Sequence, residues 1–201
     1  MDEHGLSRPA RPLSPWPWLA SLGLVVLTVV LLKIEGRVWW CECRAVRPWV
    51  SDVWSNHCSQ HLLDPYSITH ISHGLIFFGV MALLWPRSRM AWRLAAAIAI
   101  TASWEVLENS PWVIDRYRET TMSQDYLGDS AVNATGDILS CVAGFYIARA
   151  VGLLWSVGIF VATEVGLLFV MRDNLTLNVV MLLYPVEAIK TWQSAGQPGA
   201  G

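Results

Sequence analysis

Long apolar runs separated by short polar stretches dominate this chain. The first run covers Trp18 to Leu32. A second begins near Asp64-Pro65 or Ser67, where Asp or Ser suits a helix N-cap and Pro the first helical position. It continues through Leu75 to Trp85, and Pro86 ends it. The third runs from about Met90 to Glu108 and is stopped by Asn109-Ser110-Pro111. The fourth runs from Asp129 to about Ala150, and the fifth from Val151 to Met171 after almost no loop. Leu175 to Ile189 is a shorter sixth stretch containing Pro185 and Glu187, which suits a span, an interfacial segment or a re-entrant one. A bilayer core takes about 20 apolar residues of helix to cross. The pattern therefore predicts an all-α fold, a multi-pass transmembrane helical bundle of five or six helices.

Around these runs the chain divides into a polar, Pro-rich and disordered N-terminal tail (1–17), one transmembrane domain (18–193) and a flexible C-terminal tail (194–201). Extramembrane loops are expected at about 34–64 and 109–128. A basic start before an apolar run is also the pattern of a signal peptide. Lys33-Ile34-Glu35-Gly36-Arg37 lacks the small-x-small cleavage pattern, so the first run reads as a retained anchor.

Composition agrees with a bilayer as solvent. The 201 residues are 54% hydrophobic and 15% charged, whereas soluble domains carry about 25% charged residues. The net charge of −2 and the absence of a basic tract exclude nucleic acid as a partner. Of the twelve Trp, Trp16, Trp18, Trp39, Trp40, Trp85, Trp92 and Trp112 flank the apolar runs, as in interfacial aromatic belts. Trp104 and Trp155 read as core filler. A cytoplasmic N-terminus places the Arg87/Arg89/Arg93 turn inside, with Arg8, Arg11, Arg149 and Lys190. Lys33, Arg37, Arg44, Arg47, Arg116, Arg118 and Arg172 then face outward, so only the density of Arg in the short turn favours this orientation.

Polar residues interrupt three of the runs at helical spacing. His70 and His73 stand three apart early in the second helix, and Glu105 and Glu108 three apart at the end of the third. Asp129, Asn133 and Asp137 recur every fourth residue from the start of the fourth. Such spacing places each set on one helix face. The second helix leaves the side that the third returns to and the fourth starts from, so all three stripes share one side of the membrane. Ionisable groups at that depth are costly and face a bundle interior or a water-filled cavity. His70, His73, Glu105, Glu108, Asp129 and Asn133 are thus candidate acid–base residues. His70, His73, Glu105 and Asp129 are candidate ligands of a divalent metal, because imidazole and carboxylate suit zinc, iron or manganese. The competing reading is an interhelical hydrogen-bond network. Gly74, Gly136 and Gly144 read as packing positions, and Asp137 and Glu164 as the polar residues nearest mid-membrane.

The first loop contains Cys41, Cys43 and Cys58 with His57 and His61. These suit a zinc site, a disulfide from Cys41 or Cys43 to Cys58, or free thiols. Cys141 reads as an apolar filler within the fourth helix. In the second loop Arg116, Arg118 and Tyr126 are candidate substrate-binding residues, since arginine takes phosphate or carboxylate. A solvated loop with Arg–Asp pairs is the plainer alternative.

Several longer motifs resemble a bacterial membrane family, domain of unknown function 2585. They are Gly36-Arg37 with Cys41-x-Cys43, then Ser59-Gln60-His61-x-x-Asp64-x-Tyr66-x-x-x-His70-x-x-His73-Gly74, and Trp104-Glu105-x-x-Glu108-Asn109. Asp115-Arg116-Tyr117, Tyr126-x-Gly128-Asp129-Ser130, Asn133 and Arg172-Asp173-Asn174-Leu175-Thr176-Leu177-Asn178 extend the match from about Gly36 to Gln193. The family pattern also has Asp at position 137. This chain departs from it with Arg44 where the pattern has Gly, and with His57 and Cys58, which the pattern does not supply. More distantly, His and Glu in successive helices followed by Asp129, Asn133 and Gly136 are similar to the VanZ-like group. The resemblance implies an integral protein of the bacterial inner (plasma) membrane and names no reaction. The resulting expectation is a polar site at the non-cytoplasmic ends of helices two to four that binds or acts on a lipid-linked or anionic envelope substrate. The alternatives are a non-enzymatic scaffold or accessory subunit, and a small transporter. Beyond the bilayer and such a substrate, the sequence identifies no protein partner.

Overall fold

The computed structural model describes residues 14–123 and 125–197. Most of the tail expected at 1–17, and the last four residues of the chain, lie outside them. The described residues form eight helices and no strand; Trp49 and Leu63 make one isolated bridge. Five helices are long and apolar enough to cross a membrane. The chain is a multi-pass helical membrane protein.

The five are α1 (Trp16–Ile34), α2 (Pro65–Leu84), α3 (Met90–Glu108), α5 (Ala131–Val151) and α6 (Leu153–Met171). α1 extends two residues beyond the apolar run at each end. α2 starts as its sequence predicts. The Asp64 carboxylate accepts from the Tyr66 and Ser67 amides, the Ser67 hydroxyl accepts from the Asp64 amide, and Pro65 takes the first helical position. α5 is capped by Ser130 rather than Asp129, which frees the Asp129 side chain for other partners. Gly152, at φ +82°, forms the whole connection from α5 to α6, and a residue with a Cβ is strained there.

Three features go beyond what the apolar pattern specifies. The loop at 109–128 contains a helix, α4 (Pro111–Thr120). Asn109-Ser110-Pro111 ends α3 but also starts α4, because Ser110 is its N-cap and Pro111 needs no hydrogen-bond partner at the first position. The sixth apolar stretch is broken at Tyr184-Pro185-Val186 into α7 (Leu175–Leu183) and α8 (Glu187–Ser194), each too short to span. Arg172 takes a left-handed conformation (φ 54°), and the chain doubles back so that the Leu175 and Thr176 amides donate to the Glu164 carboxylate, two turns before the end of α6. Lys190 therefore lies on the same side as α4, where its ammonium donates to the Glu119 carbonyl, and not with the Arg87–Arg93 turn.

α2 and α5 form the centre, with α3 and α6 beside them and α1 packed on α3. At Gly74 the α2 backbone meets the α5 backbone at Cys141, Gly144 and Phe145, and Gly144 meets the Ile71 carbonyl in return. Absence of two Cβ atoms permits this approach, as is common between membrane helices. Gly136 serves packing too, but its neighbour is the Leu62 carbonyl of the first loop rather than a helix. The apolar core lies between α3 and α5, from Leu94, Ala97, Ile98 and Ala102 to Ile138 and Phe145. Cys141 is buried there and its sulfur accepts from Thr101 at 3.1 Å. Trp155 is 70% exposed near the start of α6, so it is not core filler; it lies where an aromatic belt residue meets the membrane surface.

Candidate functional site

The first loop is an ordered cover for the ends of α2, α3 and α5. The first amides of a helix lack intrahelical partners, and at α5 the loop supplies them. The Ser130 amide donates to the Ser59 carbonyl, Ala131 to Val38 and Val132 to Trp39, at 2.9–3.2 Å. The Gln60 side chain donates to the Gly128 carbonyl at 2.6 Å. Beneath this cover lies a cavity of about 200 Å³. Tyr66, His70 and His73 of α2, Trp104 and Glu108 of α3 and Asp129 before α5 contribute to its wall, together with Tyr117 of α4 and Asn178 of α7.

The three polar stripes converge. His70 Nδ1 is 3.4 Å from Glu105 Oε1, and both residues are buried. The His70 and His73 rings stand perpendicular with centroids 5.0 Å apart. His70, Glu105 and Glu108 each offer a ligand atom, all within 4.8 Å of one another, a grouping that could hold a cation. Of the four residues expected as metal ligands, His70 and Glu105 belong to this group. His73 and Asp129 line the cavity outside it, and Glu108 joins it instead.

The surrounding polar groups are held by hydrogen bonds. Asp129 accepts from Asn109 Nδ2 at 2.8 Å and from the Tyr126 hydroxyl at 2.9 Å. Burial pushes the Asp129 carboxyl up to about 6, with those two donors opposing the rise and Asp64 adding to it. Asp64 accepts from the Ser59 amide at 2.8 Å and from Asn133 Nδ2 at 3.3 Å, in addition to its two capping bonds. Burial raises the Asp64 carboxyl, and the amide donors oppose this. Asn133 thus braces the start of α2 from α5 and is not among the residues lining the cavity. Asp137 accepts from the Ser67 hydroxyl at 2.7 Å. At His70 and Glu105 the pattern reverses: His70 Nδ1 and both Glu105 oxygens are buried with no hydrogen-bond partner.

Arg116 and Arg118 are absent from the cavity wall. Arg116 Nε donates to the Leu182 carbonyl at 3.0 Å, tying α4 to α7. Arg118 Nε donates to the Tyr126 carbonyl at 2.6 Å and its guanidinium lies 3.5 Å from Asp115. Tyr126 reaches the cavity through its hydroxyl on Asp129. Trp104, which by position reads as filler, lines the cavity, and Asn109 and Asp64, which read as a helix stop and a cap, fix its frame; all three fall within the motifs quoted for the family resemblance. The cue for Asn109 was its place directly after the Glu105–Glu108 pair. All four cysteines are free; Cys58 borders the cavity, while Cys41 and Cys43 face His57 and His61.

Known proteins resemble this chain over most of its length. The chain is 43% identical over 185 residues to a UPF0314 protein of Sinorhizobium fredii, covering 92% of this chain and 94% of that one. It is 46% identical over 179 residues to a UPF0314 protein of Sphingopyxis alaskensis (89% and 95% covered), and 41% identical over 179 residues to one from Paracoccus denitrificans (89% and 93%). No solved structure matches the chain. A family model also matches residues 32–195, nearly the whole helical domain, and the chain belongs to that family, described as Protein of unknown function (DUF2585).

Proposed function

We propose that the cavity is a membrane-embedded acid–base or metal-assisted site for the polar head group of a lipid-linked envelope substrate, in a protein of the bacterial inner membrane. One observation carries this reading: Glu105 is wholly buried with both oxygens unpartnered, next to an unpartnered His70 nitrogen. Networks that act as interhelical glue satisfy most of their members; the Asp64 and Asp129 carboxylates are satisfied, although Asn133 Oδ1 beside Asp64 is not. His70 lines the cavity, and Glu105 lies behind it, 3.4 Å from His70 Nδ1; both are buried without a hydrogen bond at those atoms, an arrangement suited to holding a cation or moving a proton. The volume of about 200 Å³ lies below the roughly 300 Å³ at which drug-sized pockets begin, and so suits a head group rather than a whole lipid.

Charge narrows the choice further. Glu108 and Asp129 make the wall acidic, and Arg116 and Arg118 are bonded elsewhere. An anionic head group would therefore need a divalent ion on His70, Glu105 and Glu108, whose positive charge would invert the local preference. With no such ion, the same wall favours an amine or a neutral hydroxyl.

Glu105→Met separates this reading from a scaffold. Glu105→Met removes a buried carboxyl that has no hydrogen bond but also leaves His70 without its 3.4 Å neighbour, so stability in detergent is expected to change little, while complementation of a deletion strain is lost. A Glu105→Met protein that melts earlier and loses function in proportion supports the scaffold; one that complements fully overturns the site. His73→Ala, at the cavity wall, is expected to behave in the same way. Metal analysis of the wild type decides between the ion-dependent and ion-free forms.

A further inference from the structure

Between α1 and α2 the chain gathers a second group of ligand-type side chains, separate from the cavity. Cys41, Cys43, His57 and His61 each place one ligand atom within 4.8 Å of all the others. Cys41 Sγ is 3.2 Å from His57 Nδ1, and Cys43 Sγ is 3.6 Å from His61 Nε2. Tetrahedral zinc, with Zn–S about 2.3 Å and Zn–N about 2.0 Å, spaces its ligands by roughly 3.3–3.8 Å. The two sulfur–nitrogen distances already lie close to that range, and the acidic residues of the loop, Glu35, Glu42, Asp52 and Asp64, are not part of the group.

Backbone geometry assembles these residues from two separate stretches. The Arg44 amide donates to the Cys41 carbonyl at 3.0 Å, and Arg44 is left-handed (φ 58°), which turns Cys43 back beside Cys41. Ser59 is left-handed as well (φ 60°), and the Cys41 amide donates to the Gln60 carbonyl at 3.0 Å, which brings His57 and His61 up to the two sulfurs. The Trp40 ring meets the His61 ring edge-on at 5.4 Å.

We infer that Cys41, Cys43, His57 and His61 form a Cys₂His₂ site for a thiophilic divalent cation of the zinc class. His57-x-x-x-His61 has a spacing usual for zinc, whereas Cys41-x-Cys43 is one residue tighter than the common cysteine pair. Cys58 is an internal control. It borders the cavity and lies outside the group. His57 is not itself a wall residue, but its neighbours Asn56 and Cys58 line the cavity. A metal here would therefore pin the lip of the cavity to the segment following α1. This site stands whether or not the cavity is catalytic.

The test uses the full chain, purified in detergent under reducing conditions and loaded with zinc or cobalt. X-ray absorption on the zinc protein is expected to give two sulfur and two nitrogen neighbours, and the cobalt protein thiolate charge-transfer bands. Cys43→Ser, at an exposed position, is expected to weaken binding at least about tenfold, and Cys58→Ser to leave it unchanged. Three results would each overturn the proposal, and the wild-type measurements need no variant to fold. They are a wild type with no sulfur-bound metal, full retention of the metal by Cys43→Ser, and a disulfide involving Cys41 or Cys43 in protein alkylated as it is isolated. Metal bound only through oxygen and nitrogen would belong to His70, Glu105 and Glu108 and also counts against it.

Discussion

Asn109 and Asp129 clasp one another through two hydrogen bonds, from Asn109 Nδ2 to the Asp129 carboxylate at 2.8 Å and from the Asp129 amide to Asn109 Oδ1 at 2.6 Å. Twenty residues apart in the chain, the two lock the end of α3 to the start of α5 and so fix Glu105 and Glu108 relative to the opposite cavity wall. Asn109→Ala leaves a buried carboxylate and a buried amide without these partners, and is expected to cost about 2–4 kcal/mol. Thermal unfolding in detergent measures it. Asn109→Asp places two carboxyls together; its loss is expected to be larger at pH about 7 than at pH about 5, where one of them holds a proton. Equal losses at both pH values would mean the clasp is not electrostatic.

At the centre of the bundle, Gly74→Ala or Gly144→Ala drives a methyl group into the backbone of the partner helix. Backbone cannot step aside as a side chain can, so a cost at or above the usual overpacking range of about 1–3 kcal/mol is expected. The readout is the yield of monodisperse protein in detergent. Gly166→Ala on α6 meets open space and serves as the control. It is expected to be neutral or stabilising by up to about 1 kcal/mol.

Buried carboxyls outside the spans, Asp64 among them, make stability pH-dependent. Burial pushes both Asp129 and Asp173 up to about 6, against an ordinary value near 4. The folded state therefore binds protons more tightly than the unfolded chain between those values. Stability from these groups is full below about pH 4 and is lost as pH rises through about 6. Melting temperatures across that window should fall with rising pH, and Asp173→Asn should flatten the fall. A rise with pH would contradict the assignment.

The apolar runs made the spans legible because a bilayer imposes a length and a hydropathy that few other environments require. Asp64-Pro65 was legible as a helix start because its cap uses only neighbouring residues. α4 was hidden because Ser110-Pro111 serves as a stop for one helix and a start for the next, and local chemistry does not say which. The sixth stretch stays open at the level of sequence because the Glu164 carboxylate caps α7 from the preceding helix, a long-range bond with no local sign. Within the site, the shared side of His70, Glu105 and Asp129 followed from counting helices. That Asn133 braces Asp64, and that Arg116 and Arg118 bond to carbonyls elsewhere, depended on side-chain direction.

The sequence by itself determined a multi-pass helical membrane protein with its costly polar residues on one side, because burial in lipid and helical periodicity act residue by residue. Only the tertiary structure decided which of those residues meet. Gly74 and Gly144 let two helices approach to backbone contact, and the Asn109–Asp129 clasp sets the third. Within that frame, hydrogen-bond distances of about 3 Å separate the satisfied carboxylates from Glu105, and the folded first loop brings Cys41 and Cys43 to His57 and His61.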